Sequence, residues 1–180
     1  VTGILNGIDT DAYNPAADSF LKYPYDRDSM AGKAKQKKLL QKELGLEVRA
    51  DVPIVAMITR LTGQKGLDLV ECALRDMMDM DIQFVILGDG EKRYVDLCSW
   101  AAGRFPGKMA CYIGMNEGLA HRIYAGADIF LMPSEFEPCG LSQMISMRYG
   151  TIPVVRETGG LRDTVEPYNK YTGTGLGFAF

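Results

Sequence analysis

The sequence predicts an α/β fold, a doubly wound parallel sheet of the Rossmann-like type, from two features that begin after residue 52. Short continuous apolar runs recur there, and segments with helical periodicity separate them. Continuous apolar runs suit strands that are buried on both faces. Their alternation with helices is typical of βαβ units around a parallel sheet.

The predicted elements follow one another in a regular order. Residues 1–25 are rich in Asp, Asn, Pro and Tyr without periodicity, which predicts a linker or docking segment before a domain over 26–180. A lysine-rich helix is predicted over 27–45 and ends near Gly45. Apolar runs predict strands at 53–58, 82–87, 109–113, 129–132 and 152–155. Helices are predicted around 70–77, 92–103, 117–125 and 141–148.

Charge and hydropathy exclude several classes of partner. The formal net charge is -3, so no overall basic field points to nucleic acid or to an anionic membrane. The basic run of Lys33, Lys35, Lys37 and Lys38 is interpreted as a solvated helix face. The sequence shows no signal peptide and no apolar run of membrane-spanning length.

The use of cysteine and histidine argues against a metal centre. Cys72, Cys98, Cys111 and Cys139 have neither zinc-knuckle nor CxxC spacing, and buried free thiols in a reducing cytosol are the simplest account of them. The only histidine, His121, is interpreted as structural. No metal site is therefore predicted.

The single tryptophan is predicted to lie in the core. Trp100 shares helical spacing with Tyr94 and Leu97 in the predicted helix 92–103. Aromatic side chains at such spacing usually pack in the interior.

The loop after the first predicted strand is a candidate anion site, because ligands of doubly wound sheets bind outside the carboxyl ends of the strands. Arg60 and Lys65 lie in this loop, before a helix. The planar fork of arginine, the point charge of lysine and the free N–H groups of a helix start together suit a diphosphate. Two ordinary surface cations would account for the same residues equally well.

A glycine turn follows the last predicted strand. Thr158, Gly159 and Gly160 form it, and Asp163 comes shortly after. Paired glycines let main-chain amides approach a phosphate closely. A plain tight turn with an acidic first helical turn explains the segment equally well.

Residues 134–141 join another strand to its helix. Pro138 and Gly140 bracket a bend that would aim the amides of 139–142 toward a ligand. Glu137 could hold a sugar hydroxyl or balance developing positive charge, or it could be a helix-start acid that interacts with the dipole. Cys139 is interpreted as a packing thiol rather than a nucleophile, because no histidine is near it in the sequence.

These three loops place cations, glycines and one carboxylate on the same rim of the predicted sheet. Together they predict a site for a diphosphate attached to a hydroxylated group. Neither a GxGxxG turn nor a GxxxxGK[ST] loop is present, so dinucleotide binding and P-loop phosphoryl transfer are disfavoured.

Four segments carry a resemblance to a known family: LNGIDTDAYNP (5–15), RLTGQKG (60–66), EFEPCGLSQ (135–143) and RYGTIPVVRETGGLRDTV (148–165). They resemble the nucleotide-sugar-binding, C-terminal domain of bacterial glycogen synthases and plant starch synthases. These are retaining glycosyltransferases with two Rossmann-like domains, the GT-B type. The resemblance implies ADP-glucose as donor, an α-1,4-glucan as acceptor, addition at the non-reducing end with retained configuration, and no cofactor.

The resemblance also implies which residues hold the donor diphosphate. Arg60 and Lys65 match the basic pair of the family. Thr158, Gly159 and Gly160 match the glycine turn that lines the diphosphate.

A second set of matches concerns the transferred glucose. Glu137 matches the carboxylate placed near that glucose, which implies a catalytic role. Cys139, Gly140 and Leu141 match the turn whose backbone contacts the sugar, and Ser142 lies where a hydroxyl-bearing residue meets the phosphate.

Two positions depart from the pattern of related enzymes. Many related transferases carry a second glutamate at the position of Ile145, although the glycogen synthase branch usually lacks it. Bacterial relatives often have tyrosine against the adenine where this chain has Met115. A thioether can pack on a purine face, but the preference for ADP over UDP is then less firmly implied.

The resemblance further implies an N-terminal partner domain, because family members carry one with a KxGGL loop and a catalytic histidine. Neither motif occurs in these 180 residues, so the chain alone is expected to be inactive. The implied location is the bacterial cytoplasm, or the plastid for a plant-type parent. The alternatives are another GT-B enzyme, such as a sugar-nucleotide epimerase or a glucan phosphorylase, and a non-catalytic glucan-binding domain.

Overall fold

The computed structural model describes residues 4–180 and confirms the predicted α/β fold. Its single sheet has six parallel strands in the order β3-β2-β1-β4-β5-β6. The strands are β1 (Ile54–Ile58), β2 (Gln83–Gly88), β3 (Met109–Ile113), β4 (Ile129–Met132), β5 (Ile152–Val155) and β6 (Phe178–Ala179). The helices are α1 (Ala31–Glu43), α2 (Leu67–Asp79), α3 (Lys92–Arg104), α4 (Glu117–Gly126), α5 (Ser142–Arg148) and α6 (Gly159–Thr164).

The sheet is doubly wound, because its two halves extend in opposite directions from the centre. Strands β1 to β3 run outward on one side and β4 to β6 on the other. The order reverses between β1 and β4, which pair in parallel through Val55 and Ile129. In such sheets the crevice at the reversal, outside the carboxyl ends of the strands, is the place where ligands bind.

Alternate residues of the central strand β1 are buried in two separate core layers, one on each face of the sheet. Ile54 and Ala56 of β1 face the layer formed with α1, α4 and α5. Val55 and Met57 of the same strand face the layer formed with α2 and α3. Burial on both faces explains why these strands are continuous apolar runs in the sequence.

The chain before α1 packs on the layer formed with α1, α4 and α5. Residues 4–25 contain no helix or strand, and residues 1–3 of the predicted linker lie outside the described residues. Leu21 and Tyr25 belong to the core of that layer. The Tyr25 hydroxyl donates to the carbonyl oxygen of Tyr149 at 2.8 Å, at the end of α5.

Helix α1 is shorter than the predicted helix 27–45. The Asp26 carboxylate accepts hydrogen bonds from the amides of Asp28 and Ser29, both at 2.9 Å, and this turn delays the start of the helix to Ala31. A 3₁₀ turn over Gly63–Lys65 and the strand β6 were not predicted. A helix after the glycine turn was expected without bounds, and α6 begins within that turn, at Gly159.

The interpretation of the basic run as a solvated face is wrong for two of its four lysines. The Lys33 ammonium donates to the carbonyl oxygens of Ala125 and Tyr149, both at 3.1 Å, near the ends of α4 and α5. Burial lowers the pKa of Lys33 to about 7. Lys37 lies 2.8 Å from the Asp128 carboxylate. These two lysines therefore contribute hydrogen bonds and an ion pair inside the domain instead of lying on a solvated face.

The prediction of a buried tryptophan is also wrong. Tyr94, Cys98 and Ala101 form the buried stripe of α3. Trp100 lies one position before Ala101, about 100° around the helix from it, and is 60% exposed.

Candidate functional site

The loop after β1 is held rigidly at the switch point. Leu61 is fully buried, and its amide donates to the carbonyl oxygen of Asp89 at 2.8 Å, which ties this loop to the loop after β2. Gly66 has a φ of 76°, and a Cβ there would lie 2.2 Å from the carbonyl oxygen of Pro133. Only glycine therefore lets this loop approach the chain that follows β4.

The central contact of the site is an ion pair between two predicted site residues. The Lys65 Nζ atom lies 2.6 Å from the Glu137 Oε2 atom, and the two side chains are 15% and 12% exposed. Low exposure strengthens the attraction, and breaking the pair would leave a charge with little solvation. The structure thus joins the predicted diphosphate cation directly to the predicted catalytic carboxylate.

The loop that carries Glu137 is fastened by a fully buried glutamine. Gln143 Nε2 donates to the carbonyl oxygens of Cys139 at 3.0 Å and Gly140 at 2.9 Å, and it reaches the Thr164 hydroxyl at 2.9 Å. Gly140 has a φ of 72°, which favours glycine at this bend. The predicted bend before α5 is confirmed, and Gln143 is what fixes it.

The glycine turn packs directly behind Glu137. The Gly160 amide donates to the carbonyl oxygen of Glu137 at 2.9 Å, and the Thr158 amide donates to the carbonyl oxygen of Arg156 at 2.8 Å. A Cβ at Gly159 would lie 2.3 Å from the Glu137 carbonyl oxygen. Two of the three amides assigned to the diphosphate by resemblance therefore already have acceptors.

Gly160→Ala is expected to destabilise the fold and to weaken binding of ADP, the nucleotide that the family resemblance implies as ligand. The added Cβ would lie 2.2 Å from the Cα of Cys139, so the loop carrying Glu137 would have to move. Overpacking of this kind costs about 1–3 kcal/mol. Urea unfolding and an ADP titration measure the two effects.

Gly103→Ala is the matched control for that change. No atom lies within 4 Å of a Cβ at this position near the end of α3, so the substitution should be neutral or stabilise by up to about 1 kcal/mol. If both variants unfold and bind ADP like the parent chain, the close packing of the glycine turn does not matter for the site.

Two adjoining cavities open at the carboxyl edge of the sheet. The smaller, of about 200 Å³, is lined by six of the predicted site residues: Arg60, Lys65, Glu137, Gly140, Leu141 and Ser142. The larger, of about 620 Å³, shares Arg60, Leu141 and Ser142 with it. The larger cavity extends between α4 and the loops after β2 and β3.

The larger cavity has an open side and a closed side. Met115 lines the open side and is 97% exposed. His121 lines the closed side, where its Nδ1 atom lies 2.8 Å from Asp18 Oδ2 and its ring stacks on Tyr13. The Tyr149 hydroxyl donates to the same Asp18 oxygen at 2.5 Å. This buried network agrees with the structural role predicted for His121 and also brings the chain before α1 to the cavity wall.

The structure brings most, but not all, of the predicted site residues to a cavity. Thr158, Gly159, Gly160 and Cys139 line neither of the two cavities. Gly159 and Gly160 instead pack behind the loop that contains Glu137 and Cys139. All four cysteines are free, and Cys72 is exposed, contrary to the buried location predicted for it.

Sequence reasoning missed the roles of Gln143 and Asp18. Both are polar residues that become almost fully buried, at 0% and 6% exposure. Gln143 lies next to the EPCG bend, so its closeness to the site was visible in the sequence. The 103 positions between Asp18 and His121 left no local signal for their contact.

The described residues form neither a metal-binding cluster nor a membrane-spanning helix. Residues 4–180 contain no group of three or more His, Cys, Asp or Glu side chains placed to hold a metal ion. Over the same residues, no helix combines the length and the apolar character that a membrane crossing requires.

Comparison with curated proteins places this architecture among glycosyl transferases. Residues 40–178 match the family model described as glycosyl transferases group 1. A glycogen synthase of Bacillus cereus is 54% identical over all 180 residues, which make up 38% of its length. A glycogen synthase of Geobacillus thermodenitrificans is 57% identical over 178 residues, or 37% of its length. The chain thus spans well under half the length of these relatives.

Comparison with solved structures also identifies a glycosyltransferase. The catalytic domain of starch synthase IV from Arabidopsis thaliana, bound to ADP and acarbose, superposes with a TM-score of 0.92 at 42% identity. The match covers 99% of this chain and 38% of the starch synthase chain. The chain belongs to the group 1 glycosyl transferases and has the Rossmann-like fold of GT-B enzymes.

Proposed function

We propose that this chain binds ADP-glucose and supplies the donor side of a synthase that extends an α-1,4-glucan with retention of configuration. One observation carries the proposal: a single cavity at the topological switch point joins Arg60, Lys65 and Glu137. Two cations and one carboxylate in one cavity match the two charges that change during transfer of a glucosyl group. The diphosphate gains negative charge, and the anomeric carbon gains positive charge.

Arg60 and Lys65 would stabilise the leaving diphosphate. Negative charge grows on the leaving oxygen as the glycosidic bond breaks, so fixed cations near it stabilise the transition state more than the ground state. Lys65 is well placed for this role because its ammonium is mostly removed from water. Arg60 is exposed at the junction of the two cavities, where it can reach a ligand from either side.

Glu137 would act at the sugar. It is the one carboxylate among the described residues that line the smaller cavity. Lys65 holds it through the ion pair. A bound diphosphate would compete for the same ammonium and release part of the carboxylate charge toward the anomeric carbon. Because no second carboxylate among residues 4–180 lines this cavity, we favour a front-face reaction through an oxocarbenium-like state over a glucosyl-enzyme intermediate.

The nucleoside would occupy the larger cavity. Its volume of about 620 Å³ lies within the range of small-molecule sites, and it adjoins the smaller cavity at Arg60 and Ser142. Met115 could close over a purine with its thioether, and its 97% exposure leaves it free to move onto a base. The bound ADP of the starch synthase IV structure supports this choice of nucleotide.

Calorimetric titration of ADP and of UDP into the chain tests the proposal. We expect saturable one-to-one binding of ADP and weaker binding of UDP. Binding of UDP in preference to ADP would change the donor, and binding of neither nucleotide would overturn the donor-site assignment. A glucan phosphorylase would instead show absorbance from pyridoxal phosphate bound to a lysine.

A further inference from the structure

A groove on the opposite edge of the domain is lined by the chain's only tryptophan. The groove has a volume of about 510 Å³ and runs between α2 and α3. Trp100 lines it with 60% of its surface exposed, next to Phe105. Apolar surface left in water costs about 25 cal/mol per Å², so a large exposed indole in a concave surface marks a place where a ligand gains from burial.

The groove is separate from the donor cavities. Helices α2 and α3 connect parallel strands, so their final turns lie at the amino edge of the sheet. Trp100 and Arg104 belong to the final turns of α3, and Arg75 and Asp79 to those of α2. The donor cavities lie at the carboxyl edge, and no described residue lines both this groove and either of them.

The aromatic side chains of the groove hold each other in place. The rings of Trp100 and Phe105 meet at 84°, with their centroids 6.5 Å apart. The Arg104 guanidinium lies 5.4 Å from the centre of the Phe105 ring. Aromatic pairs of this geometry are favourable, so Trp100 is already held in one orientation. Binding of a ligand would therefore cost little side-chain conformational entropy.

The charges around the indole are balanced. Arg75 and Arg104 supply donors, and Glu71 and Asp79 supply acceptors. Glu71 is also paired with Arg93 outside the groove. A groove with two cations and two carboxylates attracts neither anions nor cations strongly, but it can donate and accept hydrogen bonds on both walls.

We propose that this groove binds the α-glucan chain at a point remote from the site of transfer. A pyranose ring presents a C–H face that packs on an aromatic ring, and its rim of hydroxyls both donates and accepts hydrogen bonds. A neutral, polyhydroxylated ligand therefore fits the Trp100 groove better than a phosphate or a basic peptide does. The choice of an α-1,4-glucan as the particular sugar polymer rests on the proposed function.

Such a site would keep the polymer near the enzyme. Binding of one segment at the groove turns the capture of a chain end at the donor cavity into an intramolecular event with a high effective concentration. The groove can therefore be useful even if its own affinity is weak.

Tryptophan fluorescence tests the proposal directly, because the 180 residues contain one tryptophan. Titration with maltoheptaose should shift the emission of Trp100 in a saturable way, and ADP at saturation should leave that titration unchanged. Cellopentaose serves as the control for linkage. Absence of a saturable shift, or equal shifts with both oligosaccharides, would overturn the assignment to α-glucan.

Retardation of the chain in gels that contain glycogen gives a second measurement. Trp100→Ala should lose at least fivefold in apparent affinity for glycogen while binding ADP like the parent chain, which also shows that it folds. Tyr171→Ala removes another exposed aromatic ring, 87% exposed and outside the groove, and should be retarded normally. Equal retardation of the parent chain and Trp100→Ala would overturn the proposal.

Two outcomes separate this inference from the proposed function. If ADP binds but maltoheptaose does not perturb Trp100, the groove assignment fails and the donor site stands. If maltoheptaose binds at Trp100 but no nucleotide binds, the groove assignment stands and the donor site fails. A shift that depends on protein concentration rather than on sugar would mean that a second copy of the chain fills the groove, which overturns the proposal.

Discussion

Glu137→Gln is expected to tighten ADP binding to this chain and to slow glucose transfer by about 10²–10³, the usual effect of removing one well-placed electrostatic group. The tighter binding follows from the ion pair, because Glu137 would compete with the diphosphate of the proposed donor for Lys65. Removing a negative charge that lies close to a diphosphate is worth about 1 kcal/mol or more, so we expect roughly fivefold higher affinity. The slower transfer follows because positive charge at the anomeric carbon develops only near the transition state.

Two measurements test this prediction. Calorimetry on the chain gives the ADP affinity. Glucan elongation gives the turnover number in a chimera in which this chain replaces the matching 38% of the Bacillus cereus glycogen synthase. Glu135→Gln is the matched control, since Glu135 is exposed on the same loop and lines neither donor cavity.

The rival interpretation makes Glu137 an acid at a helix start that contributes roughly 0.3–1 kcal/mol to stability. That interpretation predicts a lower melting temperature, unchanged ADP affinity and near-normal turnover. The ion pair argues against it, because Glu137 is directed to a side chain across the site. A destabilised variant with normal turnover would nevertheless decide in favour of the helix-start role.

The central strands could be predicted from the sequence because they are buried on both faces. All six residues of β2 are buried, so its apolar run in the sequence clearly indicates a buried strand. Strand β6 has two residues and α6 has six, which is too short for a period to show. The prediction for Trp100 is wrong because it used the helical spacing from Tyr94 and Leu97. The buried stripe of α3 instead runs from Tyr94 through Cys98 and Ala101.

The members of the candidate site could be predicted because topology brings the loops after parallel strands to one edge. The sequence could not show which members touch. Lys65 and Glu137 are 72 positions apart, and their contact depends on how two loops pack through Gly66 and Pro133. The ion pair therefore predicts an effect of Glu137 on ADP binding that the sequence alone could not indicate.

Lys65→Ala is expected to weaken ADP binding more than Arg60→Ala. Charge-assisted hydrogen bonds contribute about 1.5–3 kcal/mol, which corresponds to about tenfold for the exposed Arg60 and about a hundredfold for Lys65. Loss of Lys65 also leaves the Glu137 carboxylate, 12% exposed, unpaired beside the diphosphate, so repulsion adds to the lost attraction. Calorimetric titration of ADP measures both variants, and Lys42→Ala, which removes an exposed lysine of α1, should bind normally.

A double-mutant cycle separates lost attraction from added repulsion. In the Lys65→Ala background, Glu137→Gln should restore affinity by more than the fivefold expected in the parent chain, because the unpaired carboxylate then repels the diphosphate without compensation. If Glu137→Gln restores no affinity in the Lys65→Ala background, the carboxylate does not face the diphosphate. If Arg60→Ala and Lys65→Ala both bind ADP like the parent chain while remaining folded, neither cation holds the diphosphate. Rescue by Glu137→Gln, with no rescue by Glu135→Gln in the same background, would place the diphosphate, Lys65 and Glu137 at one point of the cavity.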